Sequence, residues 1–302
     1  MALPNIPSLR PEDRRPRLAA ALREGRLLRA IECHNPLSAL VGELARSTSG
    51  VSFDALWVSG FSHATSLGLP DAELSSLERR LESLSDIAAV TSLPLIVDAD
   101  TGGDALAFGV LCRSYESLGV SAIVIEDKVG AKRSSLAPGV QHDLEDPAVF
   151  VEKIATGRAA MHTKDTLIFA RIESLIAGKG LADALDRAET YLRSATDGVV
   201  IHSKDATGRE VLDFMQGYRT LSREHRISRP LVLIPTAYHH IRGRDLHAAG
   251  ASIIIHGNHL IRAAYSAMCQ TAQSILDHDR SQEAADAYCA PVSELFRLVG
   301  TE

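Results

Sequence analysis

No stretch of the 302-residue sequence approaches the ~20 consecutive apolar residues of a membrane-spanning helix. The opening segment MALPNIPSLRPEDRRPRLAAAL has no apolar run behind its basic residues, so no secretory signal is expected and a cytoplasmic location is. Cysteine is scarce. Cys33, Cys112, Cys269 and Cys289 stand too far apart for a zinc knuckle or a CxxC pair, and are expected to be reduced and mostly buried. Positive charge is outnumbered, with 32 Lys and Arg against 38 Asp and Glu, which leaves no electrostatic footprint for nucleic acid or an anionic membrane. No candidate strand runs into GxGxxG or GxxxxGK[ST], and the histidines show no HExxH spacing, so a dinucleotide fold, a P-loop and a zinc site are not expected. What remains is an ordinary globular composition, 45% hydrophobic and 23% charged, on a chain long enough for a complete core. A small anionic substrate is compatible with the net charge of −6, because a few cations or a metal reverse the field inside a cleft.

Apolar runs of strand length recur eight times, at Leu27–Glu32, Ala55–Ser59, Leu93–Asp98, Ala122–Glu126, Leu167–Arg171, Gly198–His202, Pro230–Pro235 and Ser252–His256. Several (LPLIVD, SAIVIE, DGVVIH, PLVLIP, ASIIIH) are nearly continuous Ile/Val/Leu, as in parallel strands buried on both faces. Between them, Ala72–Val90, Ala105–Leu118, Leu181–Ala195 and Arg209–Leu221 carry helical periodicity. A helix over Pro11–Arg23 precedes the first strand, and Arg262–Leu276 and Ser281–Leu298 are helical after the last. The expectation is a single-domain parallel (β/α)8 barrel with a C-terminal helical extension over about 262–302. An open doubly wound sheet is the alternative. The Gly/Ser/Lys-rich stretch Lys128–Gly139 is the candidate mobile loop.

A barrel builds its site at the C-terminal ends of its strands, and polar residues concentrate there. Asp98, Asp100 and Glu126 form an all-oxygen set suited to Mg²⁺ or Mn²⁺, since two carboxylates on one face of an extended chain repel unless a cation sits between them. The alternative is that Asp100 caps the next helix and Glu126 pairs with Lys128. Arg171 and His202 could grip a phosphate or carboxylate, or be a salt bridge to Glu173 or Glu126 and a core histidine. Ser59-Gly60-Phe61 could offer backbone N–H groups to an oxyanion, or be a plain tight turn. Asp71 reads first as an N-cap of the helix that follows. Lys128 and Lys132 flank a flexible tripeptide, either as a solvated loop or as a lid bringing a cation over an anionic substrate.

Together these residues resemble the phosphoenolpyruvate mutase/isocitrate lyase superfamily from about Arg26 to Leu298. The resemblance is carried by His34-Asn35, Trp57-Val58-Ser59-Gly60, VDADTGG at 97–103, EDKVGAKRSSL at 126–136, ARIESLIAG at 170–178, IHSK at 201–204, IPTAY at 234–238 and GNHLIRA at 257–263. EDK with a Lys-containing loop, followed by ARxE and HS, marks the phosphonopyruvate-handling branch. The lyases carry a cysteine where this chain has Gly130-Ala131, which disfavours carbon–carbon cleavage.

The resemblance implies Mg²⁺ (with Mn²⁺ or Co²⁺ as substitutes) held by Asp98, with Asp100 and Glu126 assisting through water. It places a phosphoryl group against Arg171, His202 and the Ser59-Gly60-Phe61 amides, beside Trp57. It makes Asp71 a phosphoryl acceptor or stabiliser and puts Lys128, Lys132 and Ser134 on a gating loop. A homodimer or homotetramer with an exchanged C-terminal helix is implied too. The expected activity is phosphoenolpyruvate mutase, interconverting phosphoenolpyruvate and phosphonopyruvate. Two departures point to the alternative, phosphonopyruvate hydrolase. Ser134 stands where mutases have asparagine and hydrolases threonine, and Gly130-Ala131 replaces the mutases' Phe-Pro. A third reading is a non-catalytic barrel that binds a 2-oxo acid and Mg²⁺.

Overall fold

The computed structural model describes residues 9–135, 137 and 139–300. Eight parallel strands close into a barrel in sequence order: β1 (Leu28–Cys33), β2 (Ala55–Val58), β3 (Leu95–Asp98), β4 (Ala122–Glu126), β5 (Leu167–Ile172), β6 (Gly198–Ile201), β7 (Leu231–Leu233) and β8 (Ile253–His256), with β8 pairing back to β1. This is the expected (β/α)8 barrel, and it excludes the open sheet.

Two short helices, α1 (Pro11–Arg14) and α2 (Pro16–Arg23), precede β1. One helix was expected over this stretch. Pro16 sits at the first position of α2, where its missing N–H is harmless, and the chain restarts there. The crossovers are α3 (Pro36–Leu44), α4 (Gly60–Ser66), α5 (Leu77–Ala88), α6 (Ala105–Ser117), α7 (Pro147–Ala160), α8 (Gly180–Leu192), α9 (Arg209–His225) and α10 (Gly243–Ala249). The extension comprises α11 (His259–His278), α12 (Gln282–Tyr288) and α13 (Val292–Leu298). The continuous helix expected over Ser281–Leu298 is broken between Cys289 and Pro291, because proline cannot continue a helix. No helix of the described residues is long and apolar enough to cross a membrane.

Strand alternation divides the core in two. Leu28, Ala30, Ala55, Trp57, Ile96, Val124, Phe169, Val200, Val232 and Ile255 fill the barrel interior, closed from below by Leu18 of α2. Ile31, Leu56, Val97, Ile125, Ala170, Ile201 and Leu233 face outward against the helices. This parity positions the site. Counting on by two along each strand, Glu32, Asp98, Glu126, Arg171 and His202 continue the inward-facing set at the C-terminal mouth.

Glu32 is used structurally. Its Oε1 lies 2.6 Å from His34 Nδ1, and its Oε2 accepts from the Leu260 and Ile261 N–H groups at 2.9 and 3.1 Å. It thereby satisfies donors that the first turn of α11 leaves open. Glu32→Ala strands those buried donors and is expected to cost about 3 kcal/mol in denaturant unfolding, whereas Glu32→Gln, which keeps an acceptor oxygen, recovers most of it. Equal losses in the two variants would contradict this role. Cys33 and Cys112 are buried as expected, but Cys269 and Cys289, on and beside the extension, are exposed.

Candidate active site

The mouth of the barrel holds a cleft lined by Trp57, Ser59, Phe61, Asp71, Asp98, Glu126, Lys132, Ser134, Arg171 and His202, all sequence-predicted site residues. Ser135, Ile234, Thr236, Gly257 and Asn258, which belong to the EDKVGAKRSSL, IPTAY and GNHLIRA motifs but have no role assigned from the sequence, also line it. Gly60, Asp100 and Lys128 stand just behind this lining.

Arg171 is the hub of one half. Its Nε donates to Glu173 Oε1 at 2.5 Å, its Nη2 donates to Ser135 Oγ at 3.0 Å and reaches His202 Nδ1 at 2.7 Å, and Glu126 Oε2 lies 3.7 Å from its Nη1. The salt-bridge alternative for Arg171 is therefore realised, within a cluster that still faces the cleft. Glu173, whose burial alone would push its carboxyl up, is held well below the usual range by Arg171 and His202. Burial and the Arg171 charge lower the His202 pKa and keep the ring neutral. Nδ1 of the ring stands between the Arg171 Nη2 donor at 2.7 Å and the Glu173 Oε1 acceptor at 3.2 Å, so it accepts from the one or, when it carries the proton, donates to the other. Ser135 Oγ donates to Glu173 Oε2 at 2.7 Å and accepts from Lys128 Nζ at 2.9 Å, which ties the 128–135 segment to β5. The base of that loop is fastened too, by a bridge between Lys128 and Leu144 and by Glu145 N–H donating to Asp127 O at 2.9 Å.

The carboxylates occupy the other half. β3 ends at Asp98, and Asp100 takes a left-handed φ of 55°, so the two are not repeated along an extended strand as expected. Asp98 accepts from Gly60 N and Asp100 N, both at 3.2 Å. The Gly60 amide is thus directed at Asp98, not free for an oxyanion. Ser59 caps α4 through a bond to Ser62 N. A side chain at position 60 would put its Cβ 2.5 Å from Asp100 Oδ1, so only glycine allows this approach.

Asp100 is not a helix cap; Asp104 caps α6. Its carboxylate lies between Arg80, whose Nη1 donates to Oδ2 at 2.8 Å, and Lys132, whose Nζ contacts Oδ1. Despite burial, these cations hold it down to about 2. Asp71 is not an N-cap either. The helix expected from Ala72 begins at Leu77, capped by Ser76, because residues 71–76 follow an irregular path with Glu73 at positive φ. Asp71 instead accepts from Lys132 Nζ at 2.6 Å.

Among the described residues no three His, Cys, Asp or Glu side chains gather as a metal-ligand cluster, since Arg80 and Lys132 engage Asp100. Two oxygen donors nevertheless fit a hard cation. Burial, then Asp100, raises the Asp98 pKa, and burial lifts Glu126 to about 8. Glu126 Oε1 is buried without a hydrogen bond, its nearest cation being Lys128 Nζ at 3.1 Å. Magnesium typically takes one or two carboxylates and fills its remaining positions with water and substrate oxygens.

A phosphoenolpyruvate phosphomutase family model matches residues 18–276. The chain belongs to this family. The phosphonopyruvate hydrolase of Variovorax sp. (strain Pal2) is 38% identical over 287 residues, 94% of each chain. The crystal structure of a phosphoenolpyruvate phosphomutase from Streptomyces platensis subsp. rosaceus superposes with a TM-score of 0.87 at 35% identity, covering 94% of each chain. A phosphonopyruvate hydrolase solved with oxalate and Mg²⁺ gives 0.84 at 36% identity, covering 97% of this chain and 95% of that one. These relatives of the phosphomutase family are enzymes, and both isomerase and hydrolase occur among them. Behind the site, Asn35 caps α3 and exchanges bonds with Ser38, and Pro36 takes the first helical position.

Proposed function

We propose that this chain is a phosphonopyruvate hydrolase, converting phosphonopyruvate and water to pyruvate and phosphate. The observation that carries the reading is Ser134 in the cleft lining, at the position where the mutases have asparagine and the hydrolases threonine. The similarity to the Variovorax hydrolase supports it.

In this reading Arg171 and His202 hold the phosphonyl oxygens. Phosphoryl transfer through a loose transition state needs positioning and positive charge more than covalent help. The P–C bond breaks with its electron pair left on carbon as pyruvate enolate, the water oxygen forms the new P–O bond, and a proton quenches the enolate carbon. Asp71, held by Lys132, serves as phosphoryl acceptor or orients the water. Asp98 and Glu126 are the residues that would hold Mg²⁺, with Asp100 behind them. When bound, the ion supplies positive charge against the enolate. Lys128, Lys132 and Ser134 belong to the lid; Trp57, Ser59 and Phe61 form the wall around the substrate.

The mutase reading has an observation of its own. Lys132 and Ser135 are buried, which supports a lid closed over the cleft, and a closed lid would exclude the water that diverts the phosphoryl group. The two readings separate at residue 134. Ser134→Asn, with an amide that both donates and accepts, is expected to shift the product from phosphate toward phosphoenolpyruvate. Phosphoenolpyruvate as the principal product of the unaltered protein would overturn the hydrolase reading.

A homodimer or homotetramer with an exchanged C-terminal helix accounts for α13. That helix buries none of its residues, and leaves Val292, Leu295 and Phe296 exposed.

A further inference from the structure

Arg80 lies outside the cleft lining, on α5, yet its guanidinium reaches the back of the site. Nη1 donates to Asp100 Oδ2 at 2.8 Å and Nη2 to the Asp98 backbone carbonyl at 2.6 Å, so one side chain grips both ends of the 98–100 turn. The turn needs such a grip. Asp100 is held at φ 55°, a left-handed conformation that costs a non-glycine residue on the order of 1–3 kcal/mol and persists only when its surroundings fix it. Charge makes the same demand. Asp71 and Asp100 both touch the Lys132 ammonium and Asp98 stands next to them, three carboxylates around one lysine. Arg80 is the second cation of that group.

We propose that Arg80 is a positioning residue that fixes the 98–100 turn and presents Asp100 as the docking counter-ion for Lys132, so that closure of the 128–135 lid is set from α5. Both Asp100 oxygens are taken by cations, which leaves Asp98 and Glu126 to face the cleft. The planar fork suits the role: its two terminal nitrogens hold a carboxylate and a carbonyl at a fixed separation, which the single nitrogen of a lysine does not. The inference rests on 128–135 acting as a lid, and not on which product the enzyme releases.

The test exploits Lys128, Lys132 and Arg133, which are trypsin sites within the lid. Cleavage there reports how often the lid opens, without metal or substrate. Arg80→Met is expected to raise the cleavage rate after residues 132–133 by about tenfold, in excess of any increase at trypsin sites outside the lid, with Arg80→Lys between it and the unaltered protein. Asp100→Asn breaks the same link from the other end, retains the side-chain shape and should give a similar increase. The double variant should open no more than either single, because both cut one connection. With phosphonopyruvate the Arg80→Met variant should lose turnover while its Mn²⁺ affinity, read by electron paramagnetic resonance, stays within about twofold. Unchanged lid cleavage in a folded Arg80→Met or Asp100→Asn protein overturns the proposal, as do additive effects in the double variant. A loss of Mn²⁺ affinity equal to the loss of turnover would assign Arg80 to metal binding instead, and overturn it too.

Discussion

Asp98→Ala is expected to abolish turnover, by at least about 10³-fold, with the fold retained. The carboxylate is buried in the barrel mouth and faces other acids, and both conditions raise its pKa. Its two acceptor contacts, from Gly60 N and Asp100 N, are long at 3.2 Å. The metal-free fold therefore gains less from this side chain than from Glu32, and its removal leaves two amides unpaired but Lys132 still held by Asp71 and Asp100. Function is the reason for keeping such a group at a cost in stability. Mg²⁺ should stabilise the unaltered protein against heat and fail to stabilise the variant. Turnover within tenfold of the unaltered level would remove Asp98 from the chemistry. Full biological activity in a variant without turnover would favour the non-catalytic binding reading.

Arg171→Met should fail in a different way, losing both turnover and stability. The guanidinium is the main counter-charge for Glu173 and stands 3.7 Å from Glu126. Removing one partner of a buried ionic cluster typically costs about 3–5 kcal/mol, because the charge left behind has no water to turn to. For a chain of this size that is a fall on the order of 10 °C in the melting midpoint. Arg171→Lys keeps the charge but not the fork, and should recover part of the stability and little of the activity. A midpoint unchanged in Arg171→Met would mean that Glu173 is neutral in the folded protein, and the electrostatic description of the site would have to be redrawn.

The barrel was legible because parallel strands buried on both faces must be written in Ile, Val and Leu, and LPLIVD or ASIIIH leaves little else to be. The inward side of the mouth followed from the same counting by two that puts Asp98 above Ile96 and Arg171 above Phe169. The short helices were not legible. α4 and α10 span seven residues each, under two turns of periodicity, and α3 leaves Leu37, Val41 and Leu44 exposed, so its apolar positions do not trace one buried face. The sequence predicts a strand-like Asp100, because nothing in VDADTGG announces a left-handed aspartate. Arg80 was missed for a related reason: on an amphipathic helix it reads as one more solvated charge, and only the fold brings it to Asp100. Glu173 was recognised as a partner for Arg171, but not as the residue that also binds Ser135 and His202.

The most direct test is ³¹P NMR of the purified protein with Mg²⁺ and phosphonopyruvate in water half enriched in ¹⁸O. The account predicts inorganic phosphate as the product, half of it carrying one isotope-shifted oxygen from solvent, with pyruvate in equal amount and no phosphoenolpyruvate on the way. Phosphoenolpyruvate accumulating first, with no solvent oxygen on phosphorus, would show that the lid keeps water out despite Ser134 and would contradict the hydrolase reading. An unchanged spectrum would contradict the substrate assignment itself.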